Sequence, residues 1–163
     1  PAVIRKNKKP VRIAASAIGT DTLALHKRKT FTSLEAVVAA SKTAYKEAGI
    51  SSSDVDVVEA HDCFTIAEVM AIEDLGFFEK GKSGKAVEKG ETELNSVITI
   101  NSSGGLKAKG HAVGATGVAQ AIEIYYQLRG HAKQRQVKGA EIGLTHNVGG
   151  SGATAVVHLF RKA

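Results

Sequence analysis

Apolar positions along this chain change rhythm several times, and each change marks a predicted element. Val11-Arg-Ile-Ala-Ala-Ser-Ala-Ile18 reads as a strand that ends at Gly19. A polar loop over 20–32 leads to Ser33, which predicts an N-cap for a helix over 34–48. Leu34, Val37, Val38, Ala44 and Tyr45 repeat there at helical spacing, and Gly49 stops the run. Val55, Val57 and Val58 predict a short strand over Asp54–Glu59. Thr65–Leu75 reads as a helix, with Ile66, Val69, Met70 and Ile72 apolar and Gly76 as its stop. Residues 79–95 are charged and glycine-containing and predict an exposed excursion. Ser96–Ile100 reads as a strand. A helix over 117–129 follows, with Val118, Ala121, Ile122 and Tyr125 on one face. Glu141–Thr145 and the β-branched Ala153–Phe160 read as the last strands, joined by a glycine-rich turn over 146–152. The order β-α-β-α-β-α-β-β predicts an α/β fold, a mixed sheet covered by helices and parallel in its first part.

Composition narrows this picture. At 163 residues the chain is the size of one domain, and its 43% hydrophobic content suffices for a core. With no Trp, that core is filled by Val, Ile, Leu and Ala. Residues 1–10 read as a basic, disordered lead-in and 11–163 as the domain. The first residue is Pro, so the chain is processed or a piece of something longer. No apolar run reaches the roughly 18–20 residues of a membrane span, and no signal-peptide pattern opens the chain. A single cysteine excludes an internal disulfide and fits the reducing cytoplasm. The net charge of +6 lies largely in Arg5–Lys9 and His26–Lys29. These are solvated surface runs or attractors of an anionic partner such as a phosphorylated cofactor. Neither is interleaved with aromatics, so nucleic-acid binding has little support.

The candidate chemistry gathers around 101–117, where His111 sits among Gly104, Gly105, Gly110, Gly114 and Gly117. The glycines make a strand–loop–helix junction with His111 at its mouth. Gly105 and Gly110 have P-loop spacing, but His111 and Ala112 stand where Lys and Ser/Thr are needed, and no G-x-G-x-x-G fits. Two more segments follow predicted strands: His61-Asp62-Cys63-Phe64 and His146-Asn147. Loops at the carboxyl ends of the strands of an open α/β sheet converge on one crevice. Three histidines and the only cysteine are therefore expected at one site. A metal use is weak, because neither C-x-x-C nor H-x₃₋₅-H is present. Thiol chemistry is the better use, with neighbouring histidines supplying protons or bonds to an oxyanion.

His61-Asp62-Cys63-Phe64, then Gly104-Gly105-Leu-Lys-Ala-Lys-Gly-His-Ala-Val-Gly-Ala-Thr-Gly117, then His146-Asn-Val-Gly-Gly-Ser-Gly152 resemble the C-terminal half of a thiolase. The sterol-carrier-protein-like thiolases and archaeal acetyl-CoA acetyltransferases are most similar, over roughly 11–160. The resemblance implies one of two similar halves, each a five-stranded mixed sheet with helices. It implies thiolysis of acetoacetyl-CoA or another 3-ketoacyl-CoA, or the reverse Claisen condensation of acetyl-CoA. Coenzyme A thioesters are the substrate, with no covalently bound cofactor and no metal. The acyl-accepting cysteine belongs to the absent N-terminal half, so the fragment alone is expected to be inactive.

By position, the resemblance makes His111 the histidine of the family's Gly-His-Pro, which activates that nucleophile and helps form an oxyanion hole. His61 stands where many thiolases have the Asn of Asn-Glu-Ala-Phe and holds the group completing the hole. Cys63 matches the acid/base cysteine of this thiolase type, and Asp62 orients its neighbours. His146 and Asn147 stand where other thiolases have Cys-x-Gly, and the backbone of Gly149 and Gly150 serves a second oxyanion hole. Ala112 replaces the motif proline, which would have fixed φ. The implied partners are the N-terminal half, further copies in a homo-oligomer, a condensing synthase and a zinc-bearing bridging protein, with no nucleic acid and no membrane. A non-catalytic scaffold subunit is the alternative.

Overall fold

The computed structural model describes residues 10–163, so all of the basic lead-in but Pro10 lies outside the described residues. The architecture is a five-stranded mixed sheet of α/β type, in the predicted element order. Its strands are β1 (Val11–Thr20), β2 (Val57–Glu59), β3 (Thr99–Ile100), β4 (Ile142–Gly149) and β5 (Thr154–Lys162). They lie in the order β1-β5-β4-β2-β3. β2 is parallel to both β3 and β4, whereas β5 runs antiparallel to β4 and β1. The parallel strands thus carry the three segments that hold the candidate chemistry. β2 and β3 are shorter than predicted, because only Val57–Glu59 and Thr99–Ile100 pair in the ladder.

The main helices are α1 (Glu35–Ala48), α2 (Thr65–Asp74) and α5 (Thr116–Arg129). Two short helices were hidden in the sequence: α3 (Ser83–Glu88) in the charged excursion and α4 (Gly105–Lys109) inside the glycine loop. Alternation along β2 sends Val58 to the main core, with Val37, Ala40, Ile72, Leu144 and Leu159. Val57 faces the other way, into a small cluster with Ile124, Leu128 and Phe160 beneath α5. α1 lies very close to β1. A Cβ on Gly19 would overlap the backbone carbonyl of Ala36, so glycine is needed there for the approach itself.

Two expectations are corrected. Ser33 does not cap α1. The N-cap is Leu34, whose N–H donates to the buried Asp74 carboxylate at 2.8 Å, and Ser33 Oγ donates to the same carboxylate at 2.6 Å. No side chain caps the first turn of α1; the Asp74 carboxylate at the end of α2 instead pins the Ser33–Leu34 segment that leads into it. On α5, Val118, Ile122 and Tyr125 are exposed, and the buried side is Gln120, Glu123, Ile124, Gln127 and Leu128. The buried polar residues there are paired. Gln127 binds Glu123, Ser102 and the Arg135 carbonyl, while Arg135 forms a salt bridge with Glu123 at 2.8 Å. Polarity alone therefore pointed to the wrong face.

Candidate active site

β2 delivers its C-terminal end directly into Ala60-His61-Asp62-Cys63. His61 is buried, Asp62 half-buried and Cys63 exposed. The segment after β3 turns sharply through Asn101 (φ 51°) and enters α4. Asp62 meets α4 at its start. Its carboxylate accepts the Leu106 N–H at 2.8 and 3.1 Å, and a Cβ on Gly105 (φ 61°) would overlap it. The α4 terminus is thus filled by the protein's own carboxylate rather than left open to a ligand. Gly104 and Gly110, both with positive φ, bound α4 on either side. Gly114 has nothing near its Cβ position.

Chain reversal at Gly110 places His111 beside His61, with ring centroids 4.9 Å apart and planes at 80°. His111 Nδ1 lies 2.8 Å from Thr116 Oγ1, and that hydroxyl donates its one proton to the Ala112 carbonyl at 3.2 Å. Thr116 therefore accepts from Nδ1–H, which leaves Nε2 as the basic nitrogen of His111. The same hydroxyl fixes the His111–Ala112 turn from the first residue of α5. Alanine in place of the motif proline is thus compatible with a held imidazole.

His146 and Asn147 do not lie in a turn, as expected; they are residues of β4, which runs on to Gly149. Strand pairing of His146 with Val157 and Asn147 with Val156 extends the ladder through them. His146 is wholly buried and accepts the His61 backbone N–H at Nδ1, 3.4 Å away. Asn147 hydrogen-bonds the His61 side chain and donates from Nδ2 to Gln120 Oε1. Gln120 Nε2 in turn donates to the His146 carbonyl at 3.2 Å. Gln120, unmarked in the sequence, joins α5 to β4 behind the site. His61 Nδ1 and His146 Nε2 have no hydrogen-bond partner among the described residues.

These groups border two adjoining clefts. The larger, about 810 Å³, is lined by His61, Cys63, His111, Asn147 and the Gly149–Gly150 backbone, among others. The second lies on the α2 side and shares Cys63 and His111 with the first, adding Asp62, Glu68 and Lys107. Cys63, Phe64 and His111 stand on the wall between them. No group of three or more His, Cys, Asp or Glu side chains among the described residues is disposed to hold a metal ion.

Burial favours the neutral imidazole at His61 and at His146. Burial lowers the His61 pKa, and its Asn147 bond only partly opposes this. Burial drives His146 down to about 3. An unfolded histidine titrates near 6.5. Between those values the unfolded chain binds one more proton than the folded one, so stability is lost as pH falls below about 6.5. The expected cost is up to about 1.4 kcal/mol per pH unit. His146→Gln, which keeps an acceptor for the His61 N–H, should remove that share of the slope. Urea midpoints measured from pH 7 to pH 4 read it directly.

The "Thiolase C-terminal domain-like" family model matches residues 17–162, and the chain belongs to that family. It is 54% identical over 153 residues to the acetyl-CoA acetyltransferase of Methanothermobacter thermautotrophicus, covering 94% of this chain and 40% of that protein. The acetyl-CoA acetyltransferase of Methanocaldococcus jannaschii is 47% identical over 157 residues, covering 91% of this chain and 39% of that one. Bovine sterol carrier protein 2 is 46% identical over 117 residues, 72% of this chain and 22% of that protein. The chain thus spans about two-fifths or less of these relatives. A solved "Ltp2-ChsH2(DUF35) aldolase" has the same fold, with TM-score 0.82 and 21% identity over 94% of this chain and 40% of that one. No helix among the described residues is long and apolar enough to cross a membrane.

Proposed function

We propose that this chain is the C-terminal catalytic domain of a cytoplasmic thiolase that transfers acyl groups between coenzyme A thioesters. The observation that carries the reading is the joint lining of one cleft by Cys63, His61, His111 and Asn147, on a fold whose relatives are acetyl-CoA acetyltransferases. In thiolysis, a cysteine thiolate of the N-terminal half attacks the 3-keto carbonyl of acetoacetyl-CoA. His111 Nε2, the basic nitrogen left by the Thr116 bond, takes that cysteine's proton. The Cα–Cβ bond breaks, leaving an acetyl-cysteine and the enolate of acetyl-CoA. The Cys63 thiol returns a proton to the enolate carbon. The Cys63 thiolate so formed takes the proton of coenzyme A, whose thiolate attacks the acetyl-cysteine and releases a second acetyl-CoA, and the freed cysteine thiolate recovers its proton from His111.

The neutral rings of His61 and His146 suit a site where negative charge develops on oxygen. The unpartnered Nδ1 of His61 supports its role in holding the group that completes an oxyanion hole. The Gly149 and Gly150 backbone lines the same cleft, which supports its role in a second hole. No metal enters this chemistry as proposed.

The fragment alone is expected to be inactive, because the nucleophile lies in a second half. Mixing or fusing the chain with the N-terminal half of a homologous acetyl-CoA acetyltransferase should restore acetoacetyl-CoA thiolysis, followed as loss of the enolate absorbance. Persistent inactivity of a correctly assembled pair would favour a scaffold role. That second reading draws on the structural neighbour, whose name joins a thiolase-fold protein to a DUF35 partner. On it, this chain would contribute to an assembly with a condensing synthase and a zinc-bearing bridging protein. The exposed Val118, Ile122 and Tyr125 on α5 suit contact with the N-terminal half or a further copy on either reading.

A further inference from the structure

We propose that Glu59 is a positioning residue that sets His111 against Cys63, by clamping both ends of the glycine segment to the strand that carries the cysteine. The inference rests on the acyl-transfer reading. Glu59 is the last residue of β2, four residues before Cys63, and is completely buried. A buried carboxylate is costly unless its oxygens are bonded. Here every partner belongs to one segment. Oε1 accepts the Ser103 N–H at 3.1 Å, and Ser102 Oγ lies 3.5 Å from it. Oε2 accepts the Ser103 hydroxyl at 2.5 Å and pairs with Lys109 Nζ at 3.3 Å. Lys109 Nζ also donates to Ser103 Oγ at 2.8 Å, closing a triangle.

Ser103 is where the chain enters α4, and Lys109 is where it leaves, two residues before His111. One carboxylate thus holds entry and exit together, while Asp62 holds the Leu106 N–H between them. Asn101 makes a parallel link, accepting the Ala60 N–H at 2.8 Å and donating to Glu68. The segment contains Gly104, Gly105 and Gly110, all in the left-handed half of φ space, and has little stiffness of its own. Its anchoring must come from side chains outside it. Burial raises the Glu59 pKa, and Ser103 and Lys109 oppose that rise, as expected for a carboxylate held by its contacts. Glu59 lines neither cleft, so it acts through His111 rather than on substrate.

The test uses the protein complete with its N-terminal half. Glu59→Gln retains an acceptor for the Ser103 N–H but loses the charge that binds Lys109. A displacement of about 1 Å at a reacting group can cost on the order of 100-fold. Glu59→Gln should therefore lower kcat for acetoacetyl-CoA thiolysis roughly 30-fold, with KM within about twofold. Lys109→Gln should do nearly the same, and the double variant should be no worse than the worse single one. Should Glu59→Gln fail to fold, Lys109→Gln reads the same contact. Val37→Ala, deep in the α1 core, controls for stability: it should lower Tm without lowering kcat. An active wild type whose Glu59→Gln and Lys109→Gln variants keep parental kcat overturns the inference alone. So does a loss of kcat in Val37→Ala that matches theirs at equal Tm. A wild type without thiolysis overturns the acyl-transfer reading and this inference with it.

Discussion

His111→Ala, made in the complete two-half protein, should lower kcat for acetoacetyl-CoA thiolysis by about 10³-fold. Loss of a positioned general base typically costs 10²–10⁴-fold, and His111 is proposed also to bind an oxyanion, which places the effect above the low end. The side chain is exposed, so the substitution should leave Tm within a degree or two of the parent. The measurement that isolates the step is mass spectrometry of the N-terminal half after brief exposure to acetyl-CoA. Wild type should gain one acetyl group and His111→Ala should not. Thr116→Val keeps the ring but removes the hydroxyl that accepts from Nδ1 and ties it to Ala112. An intermediate kcat for that variant is expected if the tautomer and the turn both depend on Thr116. A His111→Ala protein acetylated at the parental rate would remove His111 from the activation of the nucleophile.

Cys63→Ala should be nearly as damaging, at about 10²–10³-fold in kcat, for a different reason. The proposed work of Cys63 is proton transfer to and from the α-carbon, which follows acylation of the nucleophile in the condensing direction. Cys63→Ala should therefore still accept an acetyl group from acetyl-CoA, yet fail to exchange the methyl protons of acetyl-CoA with deuterated solvent. His111→Ala should lose both behaviours. This difference separates the two roles without relying on overall turnover. Because Cys63 is exposed on the wall between two clefts, its replacement should change stability by less than about 0.5 kcal/mol. Parental proton exchange in Cys63→Ala would assign the acid/base duty elsewhere, and Glu68, on the same cleft with a carboxyl raised by burial, would be the next group to replace.

Much of the site was legible because its residues sit at the ends of elements. His61, Asp62 and Cys63 follow β2 and His111 follows β3, as the parallel-sheet pattern required. His146 and Asn147 were recognised as residues but misplaced, because the glycines after them made the turn seem to start at His146, whereas it starts four residues later, at Gly150. Pairing with β5 settles the matter, since cross-strand hydrogen bonds carry β4 through Val148 and Gly149. Glu59, Gln120 and Thr116 gave no comparable signal. A Glu ending a valine run, a Gln inside a helix and a Thr at a helix start are ordinary residues until their distant partners are known.

The helix faces show the same division. The apolar side of α5 was visible in the sequence, but it faces outward on this chain, and the buried side is largely polar because Gln120, Glu123 and Gln127 find partners on other elements. Asp74 likewise holds the segment leading into α1 from forty positions away, where a neighbouring serine was expected to cap the helix.

The sequence by itself determined the element order, the α/β class and the short list of groups with chemistry to offer. Those properties follow from local periodicity, turn residues and motif spacing, which act over a few residues of chain. Only the tertiary structure decided which imidazole nitrogen is basic, which histidines stay neutral, and what holds a glycine-rich segment in place. Each of these depends on desolvation and on hydrogen bonds between residues up to eighty-five positions apart, such as the His61–His146 bond, and spacing along the chain does not encode them.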